Sequence, residues 1–341
     1  MKKWSISILT IILLTFSILA GCSSSSSKEA SSSGENTKSG ETQTLKLISF
    51  LSVDHMLTKD IIPMWIDMVE KELDGEVKIE WIGGPESIPA TEQFNAVKNG
   101  LVDINFNASS QFSNLMPESD SMLMSPFTLG EERENGYFDY LGQLFEKNGV
   151  VYLGRWLSEE PFYFWSNKEV SSLAELKGAK FRSNPIYHGT MDQLGMVQVD
   201  VHPSDVYTSL ERNLVEGFGF TLLGPRESGW TEITKYVIDE PFLNQNTMIM
   251  INPNSFNGLS AEAQKKMIEV TAKFETEMAN YFIEKNEEEW KALKEDGVKV
   301  IDISQKDRDL LQKHINEQTW KSLEKNIDKD TVKELKGLLN K

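Results

Sequence analysis

Apolar and polar positions along this chain follow two rhythms that take turns. Residues 45–51 form a short β-rich run, and over 56–73 the apolar residues Ile61, Ile62, Trp65, Met68 and Val69 recur at helical steps, with Pro63 bending that helix or marking its first turn. A strand follows over 77–82, then a helix through Gln93, Phe94 and Val97 that ends at Gly100, then a strand over 102–107. The same rhythm returns as a strand over 179–182, a helix over 186–194, a strand over 197–201, a helix over 204–212 and a strand over 215–221. Short strands alternating with amphipathic helices predict βαβ units and parallel sheets. Residues 98–103 (KNGLVD) match 211–216 (ERNLVE) in character, with Gly100 and Asn213 at the helix-ending position that needs a left-handed backbone. The match suggests two lobes built on one plan.

From Ser260 to Gly297 the apolar residues Ala263, Met267, Val270, Phe274, Met278, Tyr281 and Phe282 recur at steps of three and four. Ser260 suits an N-cap, Glu262 complements the helix dipole, and Gly297 suits the far end. One helix of this length would reach roughly 54 Å at 1.5 Å per residue, too long for one lobe. Two helices broken at the polar stretch 286–288 are the alternative; the single helix spanning both lobes is the preferred reading.

The amino terminus departs from both rhythms. Lys2 and Lys3 precede an apolar run from Ile6 to Leu19, of signal-peptide length and short for a membrane span. Leu19-Ala20-Gly21-Cys22 then opens onto a serine tract and resembles the bacterial lipobox. Residues 1–21 are therefore expected to be an export signal, Cys22 a lipidation site that anchors the protein on the extracytoplasmic face of the cell membrane, and 22–44 a flexible tether.

The residues after the tether suffice for two domains of ordinary size, and 39% hydrophobic and 26% charged residues are normal for a globular protein. Cys22 is the only cysteine, so no disulfide can form within the chain and no thiol remains in the body for catalysis or metal binding. Four scattered histidines and the lack of HExxH, CxxC and GxSxG motifs disfavour an enzyme, a metal site and a cofactor. A formal charge of −17 argues against nucleic acid.

Several segments together resemble the extracytoplasmic solute-binding proteins of TRAP transporters, the DctP-like group. They are Gly83-Gly84 followed by 93–103 (QFNAVKNGLVD), Ser125-Pro126-Phe127, 176–182 (LKGAKFR), 205–210 (DVYTSL), 214–217 (LVEG) and 259–262 (LSAE) ahead of the long helix. Their order spans some 250 residues. The resemblance implies an α/β, two-lobed periplasmic-binding-protein type II fold that closes on an organic acid and hands it to a membrane permease. Lobe I would comprise 45–163 and 250–285, and lobe II 164–249 and 286–341, with the helix shared and interlobe crossings near 162–166 and 247–251. It also implies that Arg182 forms a salt bridge with the substrate carboxylate, a contact a planar guanidinium can make with two oxygens at once.

At other positions this sequence departs from the family pattern. Tyr163 stands where many members carry a second arginine, and Phe220 where an asparagine is common. These rings belong either to the core or to an aromatic cleft wall, and the second reading favours a monocarboxylate with an apolar part over a dicarboxylate such as succinate. Arg155 is a neighbouring substitute for the missing arginine. Asn107 and Ser109 lie at the carboxyl end of a parallel strand, where α/β folds bind ligands. Asn184 and Tyr187 begin the helix beyond Arg182, and Asp54 and His55 follow the first strand, either over the ligand or on the surface. Asn244 and Asn246 near the return crossing serve as hinge or ligand residues, and Tyr207 and Trp230 as packing. A lipoprotein reporting to a sensor kinase, and an extracellular enzyme, are the competing classes.

Overall fold

The computed structural model describes residues 42–157, 160–201, 203–244 and 246–340. The export signal, Cys22 and the tether up to residue 41 lie outside the described residues. Within them the chain forms eleven strands: Gln43–Ser49 (β1), Val77–Trp81 (β2), Ile104–Ala108 (β3), Val151–Arg155 (β4), Phe162–Ser166 (β5), Lys180–Ser183 (β6), Val197–Asp200 (β7), Gly217–Thr221 (β8), Tyr236–Ile238 (β9), Thr247–Ile251 (β10) and Lys299–Ile301 (β11).

They build two sheets, ordered β2-β1-β3-β10-β4 and β11-β9-β5-β8-β6-β7. β1 pairs parallel with β2 and β3, and β6 pairs parallel with β7 and β8. Beside β3 runs antiparallel β10, and beside β8 runs antiparallel β5. The two lobes therefore share one plan, each completed by an antiparallel strand that arrives from the other. The repeat extends to single hydrogen bonds. Gly100 and Asn213 have φ of 73° and 55°, and each is followed by the same backbone bond, Leu101 N to Ala96 O and Leu214 N to Ser209 O, both 2.9 Å.

The chain passes from the first sheet to the second between β4 and β5 and returns between β9 and β10. Segments 162–166 and 247–251, expected as crossings, are instead the strands that each crossing delivers. Their runs of fully buried residues, FYFWS and TMIMI, are what an interior strand covered on both faces requires.

The long helix is a single element, Ala261–Glu295, of 35 residues or about 52 Å. Ser260 Oγ accepts from Ala263 N at 3.1 Å, and Gly297, with φ of 79°, ends it. The polar stretch near 286–288 does not break it, because the next turn is fastened: Arg226, in the segment after β8, grips both carboxylate oxygens of Glu289 at 2.9–3.0 Å. At its other end Trp65 Nε1 donates to Thr271 Oγ1 at 3.1 Å, and Met267, Val270, Phe274, Met278 and Phe282 pack with Trp65, Val69 and β1. Leu293 and Trp290 belong to the second lobe's core with Tyr163, Trp165 and Phe218. The helix is thus anchored in both lobes.

A further boundary also differs from expectation. The sequence-based expectation places 286–341 wholly in the second lobe, yet after helix Gln305–Asn326 the chain returns, and helix Lys329–Leu338 places Leu335 in the first lobe's core beside Phe112, Tyr137 and Leu141. Asn135 Nδ2 donates to Leu338 O at 3.3 Å. The apolar stripe of that helix is short and fits either lobe by pattern alone, so tertiary packing decides.

Candidate functional site

The parallel strands of both sheets end toward a common cavity of about 630 Å³. Segments after β1, β2 and β3 supply one wall, those after β6, β7 and β8 the other, and Leu157, Phe162 and Asn246 line it from the segments that join the lobes. Carboxyl ends of parallel strands are where open α/β sheets bind ligands, because the loops there diverge and leave backbone donors and side chains free to converge. The walls are largely apolar: Phe50, Leu51, Leu57, Pro85 and Pro89 from the first lobe, Ile186 and Phe220 from the second.

Arg182 is the basic side chain on these walls, and it is 4% exposed. In β6 its neighbour Phe181 points into the core, which sends Arg182 to the other face. Its Nε donates to Val201 O at 3.0 Å, and Nη1 to the Tyr187 hydroxyl at 3.2 Å and Gly219 O at 3.1 Å. Tyr187 itself donates to Gly219 O at 2.9 Å. Glycine is needed at 219, because a Cβ there would stand 2.9 Å from the Tyr187 hydroxyl that positions the guanidinium. The guanidinium carbon lies 5.6 Å from the Phe220 ring centre. With Nε and Nη1 committed, Nη2 has no hydrogen-bond partner among the described residues, so the group offers an anion one nitrogen with two N–H bonds rather than the two-nitrogen fork expected. No carboxylate lies within ion-pair distance of it among the described residues. A buried cation without a counter-ion is costly unless something completes it.

Four other expected residues line the same cavity: His55, Asn184, Asn246 and Phe220. His55 Nδ1 accepts from Leu57 N at 3.1 Å, which puts the proton of the neutral ring on Nε2. Burial lowers its pKa against the pull of Glu227 and Asp54, so at neutral pH it is a neutral donor. Asn184 Oδ1 caps Ile186 N at 3.2 Å and leaves Nδ2 without a partner among the described residues. Asn246 bonds through Nδ2 to Ser109 Oγ, and Ser109 in turn bonds to Asp120. Burial pushes the Asp120 carboxyl up to about 6, against hydrogen bonds from the Ser109 and Asn246 side chains. Phe220 lines the wall and also packs edge-on against Trp230 at 4.9 Å.

Three expected residues lie elsewhere. Asn107 is fully buried in a polar chain under the floor, where its Nδ2 donates to Asn105 Oδ1 at 2.9 Å and Gln93 Oε1 accepts from Asn105 Nδ2 at 2.9 Å. Tyr163 packs against Trp290 at 5.7 Å on the core side of β5, and burial pushes its phenol up to about 12. The cavity-facing ring is its neighbour Phe162: alternation along a strand decides which of two adjacent aromatics sees the ligand. Arg155 is buried in the first lobe, with Nη1 2.9 Å from Glu132 Oε1 and its backbone N donating to Glu275 Oε1 at 2.7 Å. It does not replace a second cleft arginine, because its charge is already matched.

Sequence reasoning missed Asp200 and Thr221 at the ends of β7 and β8, and Thr91 and Gln111 on the first wall. The strand-end rule that singled out Asn107 would have found Asp200 had it been applied to the second lobe. Near the first crossing, fully buried Glu160 accepts from Leu223 N at 3.4 Å. Burial pushes its carboxyl up to about 8; hydrogen bonds from Leu223 and Asn286 oppose this and the charge of Glu289 adds to it.

The family model described as bacterial extracellular solute-binding protein, family 7 (DctP), matches residues 49–326. Among curated relatives, the chain is 22% identical over 243 residues to the 2,3-diketo-L-gulonate-binding periplasmic protein YiaO of Escherichia coli, covering 69% of this chain and 74% of that one. It is 23% identical over 286 residues to the monocarboxylate 2-oxoacid-binding periplasmic protein all3028 of a Nostoc species, covering 77% and 74%. Among solved structures, the Bordetella pertussis receptor DctP7, which binds pyroglutamic acid, superposes with a TM-score of 0.75 at 19% identity, over 88% of this chain and all of that one. A TRAP periplasmic solute-binding protein from Desulfovibrio salexigens with bound orotic acid gives 0.75 at 17% identity, over 87% and 97%.

Proposed function

The chain belongs to the DctP family of bacterial extracellular solute-binding proteins, which are receptors rather than enzymes, and on that premise we propose that it captures a monocarboxylate with an apolar part for a TRAP-type permease. The observation that carries this reading is Arg182: a buried guanidinium on the wall of a largely apolar cavity, with no carboxylate partner and with Nη2 unbonded among the described residues. A carboxylate bound there supplies the missing counter-charge in a site where closure excludes water, which strengthens the contact. His55 Nε2 and Asn184 Nδ2 add neutral donors for the second oxygen. A dicarboxylate would leave its other charge against apolar walls, so succinate binds weakly or not at all.

The named ligands support the carboxylate: diketogulonate and 2-oxoacids are bound by sequence relatives, pyroglutamic acid and orotic acid by proteins of this fold. Binding requires no chemistry. A ligand that touches both walls only in the closed state shifts the equilibrium between open and closed forms by its differential affinity, and the permease reads the closed surface. Cys22 is the proposed lipid attachment, with residues 22–44 as the tether that lets the receptor turn toward its permease. Mass spectrometry of small molecules released from purified protein, followed by calorimetry with each candidate, tests the reading: a monocarboxylate with submicromolar Kd is expected, and submicromolar binding of succinate overturns it.

A further inference from the structure

The second lobe sets an acid beside its arginine without pairing the two. Asp200 closes β7, where the strand register places it opposite Ser183 and places Val199 opposite Arg182. Its Oδ1 accepts from Ser183 Oγ at 2.6 Å and stands 2.8 Å from His188 Nε2. Its Oδ2 accepts nothing among the described residues, and the side chain is 62% exposed on the cavity wall. Desolvation opposes ionisation here, but the hydrogen bonds from Ser183 and His188 outweigh it and hold the carboxyl below its usual range. Asp200 is therefore charged at neutral pH. Arg182 is near enough to lower that pKa further and still outside ion-pair distance, so neither charge neutralises the other by contact.

This arrangement selects on two counts. A ligand with a second carboxylate on the Asp200 side meets a like charge, whereas a ligand with a donor meets a fixed acceptor already oriented by two hydrogen bonds. A merely structural acid would commit both oxygens to the protein; here Oδ2 has no partner among the described residues, on a side chain that lines the cavity.

Resting on the carboxylate reading above, we propose that the ligand also carries a hydrogen-bond donor, a hydroxyl, amide N–H or ammonium, which Asp200 Oδ2 receives while Arg182 Nη2 holds the carboxylate. The apolar remainder lies against Phe220 and Ile186. Because Asp200 is partly solvated, the selectivity it gives is modest, about tenfold, rather than the far larger factors of a sealed polar site.

Matched acids test this: 4-methylpentanoate and 3-phenylpropanoate against their 2-hydroxy, 2-amino and chain-end hydroxy or amino derivatives, titrated calorimetrically into the mature wild type, Asp200→Ala and Asp200→Asn. A donor-bearing acid is expected to bind wild type at least tenfold more tightly than its parent, and the ratio is expected to fall below threefold in Asp200→Ala. In Asp200→Asn a hydroxyl or amide preference survives in part and an ammonium preference is lost. A parent acid that binds tightest throughout, or a ratio unchanged in Asp200→Ala, overturns the proposal. Circular dichroism confirms that each variant is folded. A panel indifferent to Arg182→Ala would contradict the carboxylate reading instead, while the Asp200 ratio still decides this one.

Discussion

Arg155 in the first lobe and Arg182 in the second are equally buried, each 4% exposed, and both end a strand of their sheet or lie within one residue of its end. Arg155 faces Glu132 at 2.9 Å, and beside it Arg133 holds Glu275 at 2.7 Å, so every charge in that cluster has a partner. Among the described residues Arg182 has only carbonyls and a phenol as partners. Burial alone therefore does not distinguish the two arginines; the carboxylate partner, present for Arg155 and absent for Arg182 among the described residues, does. In the first lobe the buried cation ties its strand to the helix of Glu132, while Arg155 N and Arg133 hold Glu275 of the long helix; in the second lobe the buried cation has no such carboxylate among the described residues.

The contrast is broken most severely at the structural pair. Arg155→Ala leaves Glu132 charged and buried, and should cost about 3–5 kcal/mol of stability in denaturant titrations, with no selective effect on ligand affinity measured in the folded fraction. Next comes Asn107, whose truncation strands its buried hydrogen-bond partners. Asn107→Ala should cost about 1–3 kcal/mol while changing ligand affinity less than threefold, because it lies under the floor rather than in it.

Glu160 gives a pH signature. Its carboxyl titrates near 8 in the folded protein and at an ordinary 4.5 when exposed, so between those values the folded state holds a proton that the unfolded chain has released. Stability attributable to this group is full below pH 4.5 and declines as pH rises toward 8. Glu160→Gln should flatten that decline, raising the melting temperature above pH 8 by a few degrees relative to wild type in scanning calorimetry. The smallest expected effect sits on the first wall. His55→Ala should weaken binding only a few-fold in isothermal titration, because it removes one neutral donor and leaves the charge in place.

These differences also locate what the sequence could and could not convey. The strands expected over 77–82 and 102–107, found as Val77–Trp81 and Ile104–Ala108, and the long helix were legible in outline because the apolar period carries them and turn residues punctuate them: Ser260 and Gly297 at the ends of the helix, Gly100 and Asn213 at the matching turns. Arg182 was legible through family resemblance, although the part of the guanidinium left for a ligand was not, since Val201 O and Gly219 O reach it from neighbouring strands. Tyr163 was misplaced by one residue of strand phase, and in a run where Phe162, Tyr163, Phe164 and Trp165 are all aromatic, composition carries no phase. Arg155 was misread because its partners, Glu132 and Glu275, lie far from it in sequence. The return of helix Lys329–Leu338 to the first lobe was hidden for the same reason.

Replacing the unpaired arginine by an uncharged side chain of similar length separates the two roles directly. In Arg182→Met the ligand-free melting temperature should change far less than in Arg155→Met, since no buried carboxylate is abandoned, while calorimetric affinity for the released monocarboxylate falls at least a hundredfold. A variant that binds within tenfold of wild type, or one that loses as much ligand-free stability as Arg155→Met, would contradict the account.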